Sequence, residues 1–404
     1  EHLGAMTRRV FDARGLGRGY GDCALAPRVL DTRRLDHLLD FDPVSGVLTC
    51  AGGATLADIV QVFVPRGWFL PVTPGTRFVT VGGAVASDVH GKNHHVEGSF
   101  CEHVIGLDLL LGNGERVHTS ASERPDLFRA TCGGMGLTGV ILAARLRLKP
   151  IRSAAVVETT IKTPDLDATL AAFAEQAGST YSVAWIDCLA RGRQLGRSVL
   201  MLGEHADDGP LALSGGHPVA IPVDAPAGLL NRVTMAAFNA LYYARARTGT
   251  RRVGLESFFY PLDALADWNR LYGRAGFLQY QFVVPEAAGL RVILERIAAS
   301  GRGSFLAVLK AFGKGNDNLL SFPHAGYTLA LDFKAEPAAF ELLDSLDRLV
   351  LDHGGRLYLA KDARMSAATF RAGYPRWQEF EAVRERHHAV GRFASALSRR
   401  LELQ

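Results

Sequence analysis

Apolar and polar positions follow different rhythms in the two parts of the chain, and the change falls near residue 150. Before it, short β-like runs such as Gly46 to Cys50 lie among glycine loops. One amphipathic helix is predicted over Thr55–Arg66, where Leu56, Ile59 and Val60 share a face. After it, longer strands alternate with helices. Ala154–Lys162 reads as a strand, Thr163-Pro164-Asp165 opens a helix with an N-cap residue and a proline in its first turn, and Tyr181–Cys188 is again a strand. The rhythm returns with a strand at Phe277–Val283, a helix carrying Leu290, Ile293, Leu294 and Ile297, and a strand at Ser304–Phe312. A strand at Tyr327–Phe333 precedes a helix with Phe340, Leu343, Leu346 and Val350 on one side, stopped by Gly354-Gly355. The expected class is α+β, with two modules stacked around a mostly antiparallel sheet. The stretch Gly203–Pro226, rich in Gly, Pro, Asp and Ala, reads as a mobile loop or lid.

Strand alternation sorts the polar side chains of the second part. Gln279 and Gln281 point one way, while Leu278, Tyr280 and Phe282 point the other. Lys310 ends its strand, and Thr328, Ala330 and Asp332 share one face of the next. If these strands are neighbours, Gln279, Gln281 and Lys310 form a polar wall suited to hydroxyls or a phosphate. A solvated sheet face is the alternative. Lys361 comes at the end of the strand Arg356–Asp362.

With 48% hydrophobic and 21% charged residues over 404 positions, the chain is an ordinary globular one able to bury a large core. A net charge of +4 is too balanced to argue for nucleic acid. The five cysteines are scattered and never paired as C-x-x-C, so no disulfide framework or zinc site is expected and a reducing, cytoplasmic setting fits. No apolar run approaches a membrane span of about 18–20 residues, leaving at most peripheral membrane contact. His90-Gly-Lys-Asn-His-His95 lacks metal-ligand spacing, so no metal is expected. The first methionine is Met6, which reads as a shortened amino terminus.

The stretch Ala13-Arg-Gly-Leu-Gly-Arg-Gly-Tyr-Gly-Asp22 sets four glycines at alternate positions, so successive backbone N–H groups are free to turn toward one anion such as a pyrophosphate. Two further glycine-rich stretches, Pro74–Gly83 and Gly133–Gly139, would touch the same extended ligand. A Rossmann site needs a helix directly after its glycines, and Tyr20–Pro27 has no helical periodicity. No Gly-Lys-Ser or Gly-Lys-Thr of a phosphate loop occurs.

Arg14–Asp22, Pro74-Gly-Thr-Arg77 with Val79–Ala84, Asp88-Val-His-Gly-Lys-Asn-His-His95, Phe277–Phe282 and Tyr358-Leu-Ala-Lys-Asp362 together resemble the vanillyl-alcohol-oxidase-like flavoproteins with a PCMH-type FAD domain. Among these the likeness is to the sugar oxidases that act on decaprenylphosphoryl-ribose. The resemblance runs from Ala13 to Arg399–Leu403. It implies a FAD domain over 1–150, a substrate domain over 151–357, and a segment over 358–404 that returns to the FAD domain. It implies pyrophosphate on Arg14, Gly15, Leu16, Gly17, Arg18, Gly19 and Tyr20. Further FAD contacts would fall at Pro74, Gly75, Thr76, Val79, Thr80, Gly82, Gly83, Ser87, Val89, His90, Gly91, Val140 and Tyr358. Substrate would meet Lys92, Gln279, Gln281, Lys310, Thr328 and Ala330, with Lys361, Tyr20 and His90 closest to the chemistry. Relatives with covalent flavin carry histidine where this chain has Tyr20, so FAD is expected to be non-covalent.

The implied reaction is oxidation of a sugar hydroxyl, with hydride passing to flavin and the proton to a base. Lys361 serves either as that base or as a charge that stabilises reduced flavin. Where mycobacterial members carry Asn-x-Cys, this chain has Thr328-Leu-Ala330, so the thiol attacked by nitroaromatic inhibitors is absent. A Tyr-His pair near the expected substrate mouth is here Phe259-Tyr260, and only a stub precedes Ala13. The substrate is either a polyprenyl-phosphate sugar, with a partner reductase, or a soluble sugar, polyol or aminoglycoside-type intermediate. A flavin-binding protein without oxidase activity is the third reading.

Overall fold

A computed structural model describes residues 10–213, 218–226 and 228–403. The first part folds around a five-stranded antiparallel sheet. Its strands are β1 (Leu38–Asp42), β2 (Val47–Ala51), β3 (Val104–Leu110), β4 (Arg116–Thr119) and β5 (Val140–Arg147), in the order β1-β2-β5-β3-β4. The helix expected at Thr55 is α1 (Leu56–Phe63) followed by a 3-10 turn over Val64–Arg66. Thr55 caps it: its hydroxyl accepts from Asp58 N at 3.0 Å, and the Asp58 carboxylate accepts from Thr55 N at 3.1 Å. Leu56, Ile59, Val60 and Phe63 are buried, so the predicted apolar face is the packed one.

The second part is built on one antiparallel sheet to which two halves contribute. Strands β6 (Ala155–Thr163), β7 (Tyr181–Ile186), β8 (Ser198–His205), β9 (Gly249–Gly254), β10 (Phe277–Val284), β11 (Val308–Phe312), β12 (Gly326–Lys334) and β13 (Arg356–Leu357) run in the order β9-β6-β8-β7-β11-β12-β10-β13. Every pairing is antiparallel. The halves fuse where Ala184 meets Leu309 and Trp185 meets Val308. Helices α2 (Val81–Ala86), α3 (Leu166–Glu175), α4 (Arg232–Arg245), α5 (Ala287–Ser300), α6 (Pro337–Asp352) and α7 (Trp377–Arg386) complete the elements used below.

Several expected boundaries move for local reasons. Thr163 stays in β6 opposite Ser198, and Asp165 caps α3 by accepting from Ala168 N at 2.8 Å, so Pro164 stands before the cap instead of inside the helix. Ser304 does not begin β11: its hydroxyl accepts from Leu306 N and donates to Leu306 O, closing a turn that delays the strand to Val308. Lys310 is therefore mid-strand. On α6 the expected Leu343, Leu346 and Val350 are packed, joined by Leu342, while Phe340 falls at the edge of the apolar face and is 39% exposed. Gly203 to His205 finish β8, so the expected loop begins later; its residues 214–217 lie outside the described residues, as do residues 1–9. Lys361 sits in the 3-10 turn Leu359–Lys361, not at a strand end.

The carboxy-terminal segment packs on the first part. Phe11 bridges to Phe393, and Arg400 forks onto both oxygens of Asp22 at 2.9 and 2.7 Å. Arg384 is fully buried. It donates to Leu137 O at 3.0 Å and Phe393 O at 3.1 Å and pairs with Glu381. Replacing Arg384 with Met strands both carbonyls and the carboxylate, an expected loss of about 3 kcal/mol. Chemical denaturation checks this; an unchanged midpoint would mean the arginine is not the clamp.

Candidate active site

The glycine run leaves the short strand Asp12–Arg14 and forms an open loop whose N–H groups, from Gly15 to Gly19, donate to no other described residue. Gly17 adopts φ +59°, a conformation that disfavours a side chain, and any Cβ there would strike the Arg14 guanidinium. The loop is closed at its far end, where Tyr20 N donates to Ala360 O at 3.0 Å. A Cβ on Gly21 would lie 1.6 Å from Asp362 O. The loop and the 359–362 turn thus share one seam.

Pro74, Gly75 and Thr76 form a second loop, anchored where Arg77 N donates to Asp263 Oδ2 at 3.0 Å and the Arg77 guanidinium pairs with Glu256. Val79 and Thr80 lead into α2, which Thr80 caps through Gly83 N at 3.1 Å. Gly82 N is already taken by Gly52 O at 2.7 Å, so Gly82 and Gly83 offer close approach instead of free donors. Ser87, Val89, His90 and Gly91 follow α2, and Tyr358 reaches them by donating to Ser87 O at 3.0 Å. Val140 sits apart, buried with Leu110, Ala389 and Phe393, in the cluster that also holds Ala13.

The polar wall forms with β12 lying between β10 and β11. Gln281 lies opposite Ala330, and Lys310 opposite Thr328. The Gln279 amide donates to Asp332 at 2.7 Å. Burial raises the Asp332 carboxyl to about 6. Lys361 approaches this carboxylate, stands 5.3 Å from the Tyr20 ring centroid, and is lowered by burial to about 8, Asp332 opposing the shift. Lys310 falls to about 7 through burial, then the charges of Lys361 and Lys92. Burial, then Lys310, drives His90 well below its usual range, so its ring is neutral.

Hydrogen-bond direction adds a constraint independent of burial. The Thr328 hydroxyl donates to Phe282 O at 2.8 Å, so it accepts from Gln281 Nε2 at 3.0 Å; the same amide nitrogen donates to His90 Nε2 at 3.0 Å. A neutral imidazole that accepts at Nε2 carries its proton on Nδ1. His90 Nδ1 lies 3.3 Å from Lys310 Nζ, and an N–H pointing there needs a lone pair, which only neutral lysine has. A proton on Nδ1 goes with a Lys310 whose own proton burial has loosened. Gln279 Oε1, Gln281 Oε1 and Asp332 Oδ2 are buried acceptors without a protein partner.

Two expectations change. Lys92, expected to meet substrate, has its ammonium donating to Phe258 O and lying 4.2 Å from that ring centroid, with its charge still felt at Lys310. Phe259 and Tyr260 lie in the buried aromatic core beside Phe69 and Tyr181, not at a mouth; the Tyr260 hydroxyl bonds Thr73 at 2.8 Å just ahead of the Pro74 loop. Asp88, quoted in its motif but assigned no role, is the hub. Fully buried with φ +38°, it accepts from Ser99, Cys101 N, Asn316, Asn318 and Ser321 at 2.6–3.1 Å. Those donors are spread along the chain with no shared motif, which is why sequence reading missed it.

A hydride acceptor with a diphosphate arm fits this arrangement: an amide-lined loop, a second glycine loop and a desolvated cationic wall converge on one site. The class so defined is a two-part α+β flavoprotein oxidoreductase with a PCMH-type FAD-binding domain. Residues 7–120 match the FAD binding domain family. The chain is 41% identical to decaprenylphosphoryl-beta-D-ribose oxidase of Mycolicibacterium smegmatis, over 97% of this chain and 89% of the relative. It is 35% identical to an uncharacterised protein in the mprA 5' region of Streptomyces coelicolor, over 86% of this chain and all of the relative. The D-2-hydroxyglutarate–pyruvate transhydrogenase of Saccharomyces cerevisiae is 31% identical over 31% of this chain and 27% of its own length. The chain belongs to the decaprenylphosphoryl-β-D-ribose oxidase family and is an FAD-dependent oxidoreductase. Among the described residues no helix is long and apolar enough to cross a membrane.

Asp88→Asn puts an amide where several donors converge, so the 316–321 segment should loosen from the His90 motif and stability fall by about 2–3 kcal/mol. Thermal denaturation with hydrogen exchange across 313–325 reads this; unchanged protection there would remove Asp88 as the hub.

Proposed function

We propose that this chain oxidises a secondary ring hydroxyl of a sugar carried on a polyprenyl phosphate to a ketone, with FAD held non-covalently. The observation that carries the reading is the buried Lys310 beside His90, an amine that gives up its proton near neutral pH in a wall that also offers amide acceptors for sugar hydroxyls. The name of the Mycolicibacterium relative supports the substrate class. The loop Arg14–Tyr20 would hold the diphosphate. The loop Pro74–Thr76, with Val79, Thr80, Gly82, Gly83, Ser87, Val89, His90, Gly91, Val140 and Tyr358, would line the rest of the nucleotide. Bound FAD supplies a two-electron acceptor for the hydride leaving the carbinol carbon.

The chain's own groups would manage the proton and the hydroxyls. Lys310 takes the hydroxyl proton, giving up its long 3.3 Å contact with His90 for the substrate oxygen. Gln279 Oε1 and Gln281 Oε1 accept from neighbouring hydroxyls, which answers two of the buried orphan acceptors. Lys361, mostly charged at neutral pH beside Asp332, provides a fixed positive field where negative charge develops. Thr328 and Ala330 bound the wall, and Ala330 leaves room where a cysteine would stand in mycobacterial members. The keto sugar would pass to a partner reductase in the same cytoplasmic setting.

The decisive experiment is anaerobic mixing of the yellow protein with lipid-phosphate sugars and with soluble sugars or polyols. Bleaching by the lipid-linked class, and release of FAD by simple denaturation, are expected; bleaching by soluble polyols alone would overturn the substrate assignment. The pH dependence follows from the two lysines. The base form of Lys310 fills as pH rises through about 7, and the charge of Lys361 is lost above about 8, so flavin reduction should peak between them. Lys310→Met should slow reduction by roughly 10²- to 10³-fold and erase the acid limb. A retained limb would assign the proton to another group.

A further inference from the structure

Helix α4 is folded inside out. Its buried residue is the polar Asn239, whose amide donates to Asp187 at 3.0 Å, while Val233 is 75%, Leu241 50% and Phe238 45% exposed. No charged residue occurs from Val233 to Ala244, and Arg232 and Arg245 bracket the stretch. The surrounding sequence from 225 to 252 holds five arginines and no acidic residue. Arg251 and Arg252 pair with Glu158 and Asp208, whereas Arg232, Arg245 and Arg247 make no ion pair among the described residues. An apolar outer face ringed by arginines, on a helix pinned down by its polar side, is the pattern of an element that lies in a bilayer interface.

We propose that α4 docks the protein on an anionic phospholipid surface. Charge selects this occupant: a second copy of the same face would set arginine against arginine, whereas anionic headgroups complement it. The position of α4 gives docking a use. Ring centroids run from Tyr242 to Phe238 at 6.1 Å, to Phe305 at 5.7 Å, to Tyr272 at 5.8 Å, to Phe277 at 4.7 Å and to Tyr20 at 5.8 Å. This aromatic track joins the exposed helix to the ring beside Lys361. Docking there would seat the packed rings that back the wall against the bilayer edge, a use that rests on the lipid-linked substrate proposed above.

The test is co-sedimentation of the FAD-loaded protein with phosphatidylcholine vesicles, with and without phosphatidylglycerol, at low and high salt, with no substrate added. Binding to the anionic vesicles that weakens with salt is expected. Val233→Asp with Leu241→Asp, and separately Arg245→Glu with Arg247→Glu, should each weaken it by about tenfold or more. These positions are outside the catalytic wall, so both variants should keep wild-type flavin content and wild-type oxidation of detergent-dispersed substrate. Protein that stays in the supernatant of anionic vesicles, or that light scattering shows to be a dimer dispersed by Val233→Asp with Leu241→Asp, overturns the proposal. Vesicle binding without any substrate oxidation would leave docking standing and remove the proposed reaction instead.

Discussion

The structure turns on burying amines. Lys310 and Lys361 stand on one desolvated face close enough that the charge of Lys361 weighs on Lys310, and a pair of fully charged ammonium groups there would be costly. The protein resolves the conflict unequally. Asp332 supports the charge on Lys361, while Lys310 faces the His90 imidazole, which offers it no counter-charge. One amine is kept cationic and the other basic by their neighbours, and a wall of two amides fills the space between. This division of labour is what makes proton removal and charge stabilisation available in the same small volume.

Such a division survives only if the frame is stiff. The register of β10, β12 and β11 fixes Gln281, Thr328 and Lys310 relative to one another, and a slip of one residue would turn all three into the opposite face. His90 is not on this sheet, so its placement depends on Asp88 and on rings packed round it, Phe312, Phe322 and Tyr358. Asp88 ties the His90 motif to Asn316, Asn318 and Ser321, in the segment between the two strands that carry Lys310 and Thr328. The glycine loop joins the same frame where Tyr20 N meets Ala360 O, one residue before Lys361.

Periodicity made much of this legible. Alternation in Phe277–Val283 correctly paired Gln279 with Gln281 on one face, and the apolar positions of α1 and α5 are the buried ones. Alternation also put Asp332 on the face of Thr328 and Ala330, the one signal available for its part in the site. What escaped were features set by contacts distant in sequence. The turn at Ser304 depends on one hydroxyl. The direction of Lys92 depends on Phe258, 166 residues away. Asp88 collects donors up to 233 residues away, and no spacing announces that. The Phe259-Tyr260 pair looked like a change at a mouth because only its neighbours in sequence were visible; its neighbours in space are core rings.

The charge balance of the wall bears on what reaches it. With His90 neutral, Lys310 part-charged and Lys361 offset by Asp332, the face is strongly polar and carries only a small positive charge at neutral pH. Such a face matches hydroxyls, whose hydrogen bonds satisfy its orphan amide oxygens, better than it matches a second anion after the diphosphate. A phosphate on the substrate would draw a proton onto Lys310, because an anion nearby favours the charged amine, and so would consume the base the reaction needs. An anionic headgroup is thus best met away from Lys310.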